Sequence, residues 1–244
     1  MNIKEKLNLD RDGLTKHGPV NIVILGDSVS HGAIVDNLDY ENVYWNRLRK
    51  MLNCYRDYVP VNMICASIGG TIAKNALDRL DTQVLNHTPD LVIVSFGLND
   101  VNHSLEDYLA SLQIIFEKCT AAGAEVIFMT PNMLNTYVAE GTAEKHINYA
   151  HTTAQHQNSG RMDMFIEQAI ALASRMGITV CDCYRKWKTL SLTQDTTQLL
   201  ANRINHPLPE MHQLFADSLY DIIIGRNTSQ NDSASTMFIT DNKD

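Results

Sequence analysis

The run NIVIL at residues 21–25 is followed directly by Gly26-Asp27-Ser28. It is short, apolar and rich in β-branched residues, which is typical of a strand buried on both faces of a parallel sheet. Four later runs share this pattern: VNMIC (61–65), LVIVS (91–95), EVIFM (125–129) and ITVCD (178–182). The sequence therefore predicts five buried strands.

Segments with the apolar spacing of helices separate these strands. The clearest runs from Leu105 to Cys119, where Ser104 and Asp107 are placed as a capping box. Two more helices are predicted, from Arg161 to Met176 and from Pro207 to Ile224. Alternating strands and helices indicate right-handed crossovers, and so an α/β fold with a parallel sheet covered on both faces.

The composition fits one globular domain, because 44% of the 244 residues are hydrophobic and 20% are charged. We expect this domain to span residues 1–225. Residues 226–244 are polar and lack periodicity, so we predict a mobile tail there. Lys and Arg number 20 against 28 Asp and Glu, giving a formal net charge of -8. This sign disfavours partners such as nucleic acid or an anionic membrane.

The cysteines and the hydropathy pattern indicate the compartment. Five cysteines are an odd number and lie largely in apolar runs, so no disulfide framework is expected. Residues 1–18 lack the apolar core of a secretory signal, and no run approaches the ~18 apolar residues of a membrane span. We therefore expect a cytoplasmic protein. Cys181 and Cys183 should face opposite ways, because side chains alternate along a strand.

The segment at residues 132–160 is long and polar for a connector. A lid or pocket wall and a partly helical surface insertion are both open interpretations. Its histidines, His146, His151 and His156, repeat every five residues, which turns them by about 500° and off a shared helical face. A zinc site is therefore not expected there, and no metal or cofactor is predicted.

Polar and small residues follow several strands at the edge where parallel sheets bind ligands. Ser28 could be a nucleophile there, although a serine after a strand also serves as a helix N-cap. Gly70 could bring a backbone N–H close to a ligand, and Asn99 offers a side-chain amide donor. His206 lies at a loop-to-helix junction late in the chain, where it could act as a base or be a surface residue.

These four residues lie in four sequence blocks: Gly26-Asp27-Ser28, Gly70, Gly97-Leu98-Asn99-Asp100 and His206-Pro207. Taken together, the blocks resemble the SGNH hydrolases, the GDSL family of lipases and acylhydrolases. The resemblance implies that Ser28 is the nucleophile and His206 the general base. It also implies an oxyanion hole made by the N–H groups of Ser28 and Gly70 and the amide of Asn99. The implied fold is a flavodoxin-like three-layer α/β/α sandwich with a five-stranded parallel sheet. The implied reaction is ester hydrolysis through an acyl-enzyme, without a metal or cofactor.

One position departs from the family pattern. An aspartate usually stands three residues before the catalytic histidine, whereas this chain has Arg203 there. A cation cannot stabilise an imidazolium, so we expect a Ser28–His206 dyad whose ring is oriented by a main-chain carbonyl. Asp195 is the candidate for a displaced third member.

Four other titratable residues lie in or near the matched motifs. We assign Asp27 and Asp100 supporting roles in fixing the loops that carry Ser28 and Asn99. For His31 and His212, contact with substrate and an ordinary surface position both stay open.

The leading functional hypothesis is a serine esterase acting on a short acyl ester, such as an acetyl group, of a carbohydrate or other small polar molecule. Alternatives are a lysophospholipase or thioesterase of the same fold, and a non-catalytic binding module, suggested by Arg203. A flavodoxin-like binder of phosphate or flavin would use the same sheet edge. The sequence leaves the oligomeric state open.

Overall fold

A computed structural model describes residues 1–225, so the predicted tail at residues 226–244 lies outside the described residues. Its five strands are β1 (Val20–Gly26), β2 (Val61–Cys65), β3 (Leu91–Ser95), β4 (Glu125–Met129) and β5 (Thr179–Cys181). They form one parallel sheet in the order β2-β1-β3-β4-β5. All five predicted strands are confirmed, and the strand order is flavodoxin-like.

Helices cover both faces of the sheet. They are α1 (Ile3–Leu7), α2 (Arg11–His17), α3 (Tyr44–Asn53), α4 (Ala73–Leu77), α5 (Leu80–Gln83), α6 (Leu105–Ala121), α7 (Ile147–Asn158), α8 (Arg161–Arg175), α9 (Cys183–Leu190) and α10 (His212–Ile224). Helices α1, α3 and α10 pack together on one face, whereas α4, α6 and α8 pack on the other. The result is the expected three-layer α/β/α sandwich.

Two of the three predicted helices are confirmed, and the start of the third is wrong. Ser104 caps α6 by accepting a hydrogen bond from Asp107 N–H. Helix α10 begins at His212 because Pro207 is held in an antiparallel bridge with Leu200, which an α-helix cannot accommodate. A short 3-10 turn at Pro209–Met211 connects this bridge to the helix.

The prediction that Cys181 and Cys183 face opposite ways is also wrong. Their sulfur atoms lie 3.6 Å apart, and both residues are buried. The alternation stops because β5 ends at Cys181 and α9 begins at Cys183. Across residues 1–225, no helix combines the length and hydrophobicity that crossing a bilayer requires.

Candidate active site

Ser28 follows β1 in a single turn and not at the start of a helix. His31 N–H donates to the Asp27 carbonyl at 2.9 Å, and Ala33 N–H donates to the Ser28 carbonyl at 2.9 Å. The next helix begins only at Tyr44. Ser28 is therefore not a helix N-cap, and its hydroxyl is free to bond elsewhere.

The hydroxyl of Ser28 bonds to the imidazole of His206. His206 Nε2 lies 2.9 Å from Ser28 Oγ, and His206 Nδ1 lies 2.7 Å from the carbonyl oxygen of Ile34. A carbonyl oxygen only accepts, so Nδ1 carries the ring proton and Nε2 is left to accept from the serine. This tautomer is the one that a general base needs.

The environment of His206 favours its neutral form. Burial lowers the pKa of His206 below the usual 6.5, since it removes water from around the charged imidazolium. The hydrogen bond to Ile34 opposes this shift, and the nearby imidazole of His146 adds to it. At neutral pH the ring is therefore available to take a proton.

Asn202 organises the loop that carries His206. Its Oδ1 accepts hydrogen bonds from the backbone N–H groups of Ile204, Asn205 and His206, at 3.0, 2.9 and 2.9 Å. From the other side, Nδ2 of the buried Asn132 donates to the Asn205 carbonyl at 2.9 Å. These contacts fix the backbone on which the imidazole is placed.

Neither Arg203 nor Asp195 is placed against the imidazole. The guanidinium of Arg203 donates to the carbonyls of Gln198 and Leu200, at 2.6 and 3.2 Å. The carboxylate of Asp195 accepts from the hydroxyl of Tyr137 at 2.5 Å and from Thr197 N–H at 3.0 Å. The structure therefore does not bring Asp195 into the position of a third member.

Two of the predicted oxyanion donors, Gly70 and Asn99, lie on the neighbouring loops after β2 and β3. Gly70 is exposed, with φ of 75°, which is a conformation that favours glycine. Asn99 Nδ2 donates to the Thr71 carbonyl at 3.0 Å, which joins the two loops and leaves a second N–H on the amide. Within residues 1–225, the backbone N–H groups of Ser28 and Gly70 have no hydrogen-bond acceptor.

Asp100 and Asp27 are buried beneath these loops. Asp100 accepts from Ala73 N–H at 2.8 Å and from Gly97 N–H at 3.0 Å, whereas Asp27 accepts from Val29 N–H at 3.0 Å. Burial raises the pKa of Asp27 to about 7 and that of Asp100 to about 6. Both carboxyl groups therefore stabilise backbone turns, while their burial disfavours the ionised form.

The segment at residues 132–160 lies beside the His206 loop. Its first four residues are buried, and Asn135 N–H donates to the Ile204 carbonyl at 2.9 Å. Further along, Lys145 pairs with Asp36 at 3.5 Å, on the same loop as Ile34. In the part of the chain that the structure describes, no three His, Cys, Asp or Glu side chains form a group suited to a metal.

Sequence reasoning missed several contributors to this geometry. Ile34 acts through its main-chain carbonyl, and its residue type carries no signal for that. Asn202 could have been found, because asparagine commonly bonds to the backbone just after it. His212 is buried against Tyr44, whose N–H donates to its Nδ1 at 3.3 Å, so it is not a surface residue.

A scan against protein families matches residues 24–214 to the GDSL-like Lipase/Acylhydrolase family. The chain belongs to the GDSL-like lipase/acylhydrolase family. It is therefore a carboxylic ester hydrolase by class. The match spans the Ser28, Gly70, Asn99 and His206 blocks. The search of curated protein sequences gave no match.

Solved structures share the fold of this GDSL-like protein. A catalytic mutant of Axe2, an acetylxylan esterase from Geobacillus stearothermophilus, is 17% identical with a TM-score of 0.65, covering 84% of this chain and 94% of its own. A lipase/acylhydrolase from Enterococcus faecalis is 21% identical with a TM-score of 0.66, covering 85% and 96%. An acetyl xylan esterase, AlAXEase, is 19% identical with a TM-score of 0.66, covering 84% and 100%. At these identities the comparison establishes the fold.

Proposed function

We propose that this protein hydrolyses short-chain, acetyl-type esters of a carbohydrate or other small polar molecule through an acyl-enzyme on Ser28. The observation that carries the proposal is the 2.9 Å contact between Ser28 Oγ and His206 Nε2, with Nδ1 bonded to the Ile34 carbonyl. A nucleophile, a base and a group that orients the base are the three parts that such chemistry requires.

The first half of the reaction forms the acyl-enzyme. His206 Nε2 takes the hydroxyl proton as Ser28 Oγ attacks the ester carbonyl carbon. The carbonyl π electrons move onto oxygen, where the N–H groups of Ser28 and Gly70 and the free amide N–H of Asn99 stabilise the anion. Collapse of this intermediate breaks the bond to the alcohol, which leaves with the proton from His206.

The second half repeats these steps with water. His206 takes a proton from a water molecule as it attacks the acyl carbon, and the same donors hold the second oxyanion. The carboxylic acid then leaves, and Ser28 Oγ recovers its proton from His206. The imidazolium of His206 forms twice in this cycle, and its Nδ1–H donates to a neutral carbonyl instead of a carboxylate. The positive charge is therefore stabilised less strongly than in a triad with an aspartate.

The surroundings of His206 favour an ester substrate whose leaving alcohol is polar. The leaving oxygen must lie within hydrogen-bonding reach of Nε2 to receive its proton, so the alcohol occupies the His206 side of the site. Exposed charged and polar groups lie near His206 and the Ile34 loop, namely the Asp36–Lys145 pair and His146, although Val35 is also exposed there. Such groups suit a hydroxylated molecule better than a lipid chain. The acetyl preference is supported by the acetylxylan esterases among the proteins of similar fold.

The test compares acetylated oligosaccharides, a lysophospholipid and an acyl thioester as substrates for wild type and Ser28→Ala. We expect the highest kcat/KM on the acetylated sugar and loss of turnover in Ser28→Ala. Preference for the lysophospholipid or thioester would contradict the substrate class. Binding of the sugar without turnover in wild type would favour the non-catalytic module.

A further inference from the structure

His31 is hydrogen-bonded to the glycine loop that follows β2. Gly69 N–H donates to His31 Nδ1 at 3.3 Å. A Cβ atom added to Gly69 would lie 3.6 Å from Ser28 Cβ and 3.9 Å from His31 Nδ1. His31, Gly69 and Ser28 therefore form one contact group, and the imidazole lies at the edge of the reaction site.

The loop that His31 contacts is held at both ends and closed by a turn. Ile68 N–H donates to the Gly26 carbonyl at 3.2 Å, and the Thr71 carbonyl accepts from Asn99. Thr71 closes the turn, because its N–H and its hydroxyl donate to the Ile68 carbonyl at 3.4 and 2.7 Å. Between these two anchors lie Gly69 and Gly70, both exposed and both without side chains. Across residues 1–225, His31 provides the only side-chain hydrogen bond to the backbone of either glycine. Glycines have wide conformational freedom even within a closed turn, so this bond adds a further restriction on where the Gly70 N–H points.

Aromatic packing sets the orientation of the His31 ring. The ring of Tyr40 lies 6.2 Å from the imidazole of His31 and 5.9 Å from the ring of Trp45, measured between centroids. Trp45 is itself anchored, because its Nε1 donates to the Ser30 carbonyl at 2.9 Å. The imidazole of His31 is thus held both by the glycine loop and by an anchored aromatic pair.

We propose that His31 is a positioning residue for the oxyanion hole, acting through Gly69 to aim the backbone N–H of Gly70. This inference rests on the proposed function, in which that N–H stabilises the tetrahedral intermediate. The imidazole does not touch the substrate. It accepts from Gly69 through Nδ1, so its neutral form carries the proton on Nε2. Its effect should appear in the transition state, where the oxyanion forms, and not in ground-state binding.

The experiment measures kcat and KM on p-nitrophenyl acetate for wild type, His31→Ala and His31→Asn. His31→Ala should lower kcat about tenfold or more with little change in KM, because a misaimed oxyanion donor weakens only the transition state. The side-chain oxygen of His31→Asn can replace Nδ1 as acceptor, so this variant should recover much of the loss. His87→Ala, a change in an exposed histidine before β3, is the matched control and should keep wild-type kinetics.

Inhibition by methylboronic acid gives a second readout that does not depend on turnover. Its tetrahedral adduct with Ser28 places an oxygen where the oxyanion forms, so its affinity should fall in His31→Ala by the same factor as kcat. A raised KM with unchanged kcat would overturn the inference and make His31 a substrate contact. Loss of activity in Ser28→Ala with unchanged kcat in His31→Ala would overturn this inference alone. Retained activity in Ser28→Ala would overturn both it and the proposed function.

Discussion

His206 Nδ1 lies 2.7 Å from the carbonyl oxygen of Ile34, a residue 172 positions earlier in the chain. This contact places a main-chain acceptor where related enzymes use an aspartate. It fixes the tautomer and orientation of the imidazole without adding a negative charge beside it.

The pH dependence of kcat/KM should reflect the lowered pKa of His206. The protonated imidazole cannot accept from Ser28, so activity should rise as pH increases through a pKa below 6.5 and then stay level above neutral pH. The measurement is kcat/KM on p-nitrophenyl acetate from about pH 5 to about pH 9. A midpoint above 6.5 would contradict the account, since it would indicate a carboxylate partner for the ring.

Arg203 and Asp195 should be dispensable for turnover. Arg203→Asn removes the cation but suits the left-handed backbone, with φ of 60°, and Asp195→Asn removes the carboxylate charge beside Tyr137. Each variant should keep kcat within about threefold, whereas loss of a triad aspartate costs ~10⁴-fold. A loss of kcat in Asp195→Asn that approaches ~10⁴-fold would indicate that Asp195 is the third member of a catalytic triad.

Asp27 should make the protein less stable as pH rises. Its pKa is raised from 3.8 to about 7 in the folded state, so between these values the folded state binds more protons than the unfolded state. The free energy of unfolding should therefore fall through this window and remain lowered above it.

Asp27→Asn tests that effect, because the amide oxygen can still accept from Val29 N–H but does not titrate. Relative to wild type, the variant should gain about 1.4 kcal/mol per pH unit across the window. Urea denaturation of both proteins at about pH 5 and about pH 8 measures this difference. A constant difference between the two proteins at both pH values would contradict the raised pKa of Asp27.

Gly70→Ala should impair turnover through the backbone alone. An added Cβ would meet no atom within 4 Å, but φ of 75° disfavours any other residue by about 1 kcal/mol. Relaxation of that strain would move the N–H, so kcat should fall about tenfold or more. Gly123→Ala is the matched control, because Gly123 has φ of 85° and equally open space in the turn between α6 and β4. This variant should be destabilised to a similar degree and keep full activity.

The sequence predicted the fold well because buried parallel strands have a strong signature. Each of the five apolar runs contains a strand, because short apolar runs rich in β-branched residues are typical of strands buried on both faces of a sheet. The start of α10 was harder, because Pro207 is compatible with a first helical turn and only the bridge to Leu200 prevents it. The Cys181–Cys183 contact required knowing where β5 ends, and strand ends are weakly encoded.

The site was predictable where it depends on side chains. Ser28 and His206 carry recognisable groups in recognisable places, and the structure brings them together. The residue that orients His206 was not predictable, because every residue has a carbonyl and only the tertiary fold selects that of Ile34. The absence of an aspartate at position 203 indicated that a substitute was needed, but not which one.

The most direct test of the Ser28–His206 dyad is to trap the acyl-enzyme from p-nitrophenyl acetate and locate it by mass spectrometry. Wild type should release a burst of p-nitrophenol and carry one acetyl group on the peptide that contains Ser28, whereas Ser28→Ala and His206→Ala should show neither. An acetyl group on another residue, or undiminished turnover by Ser28→Ala, would contradict the account.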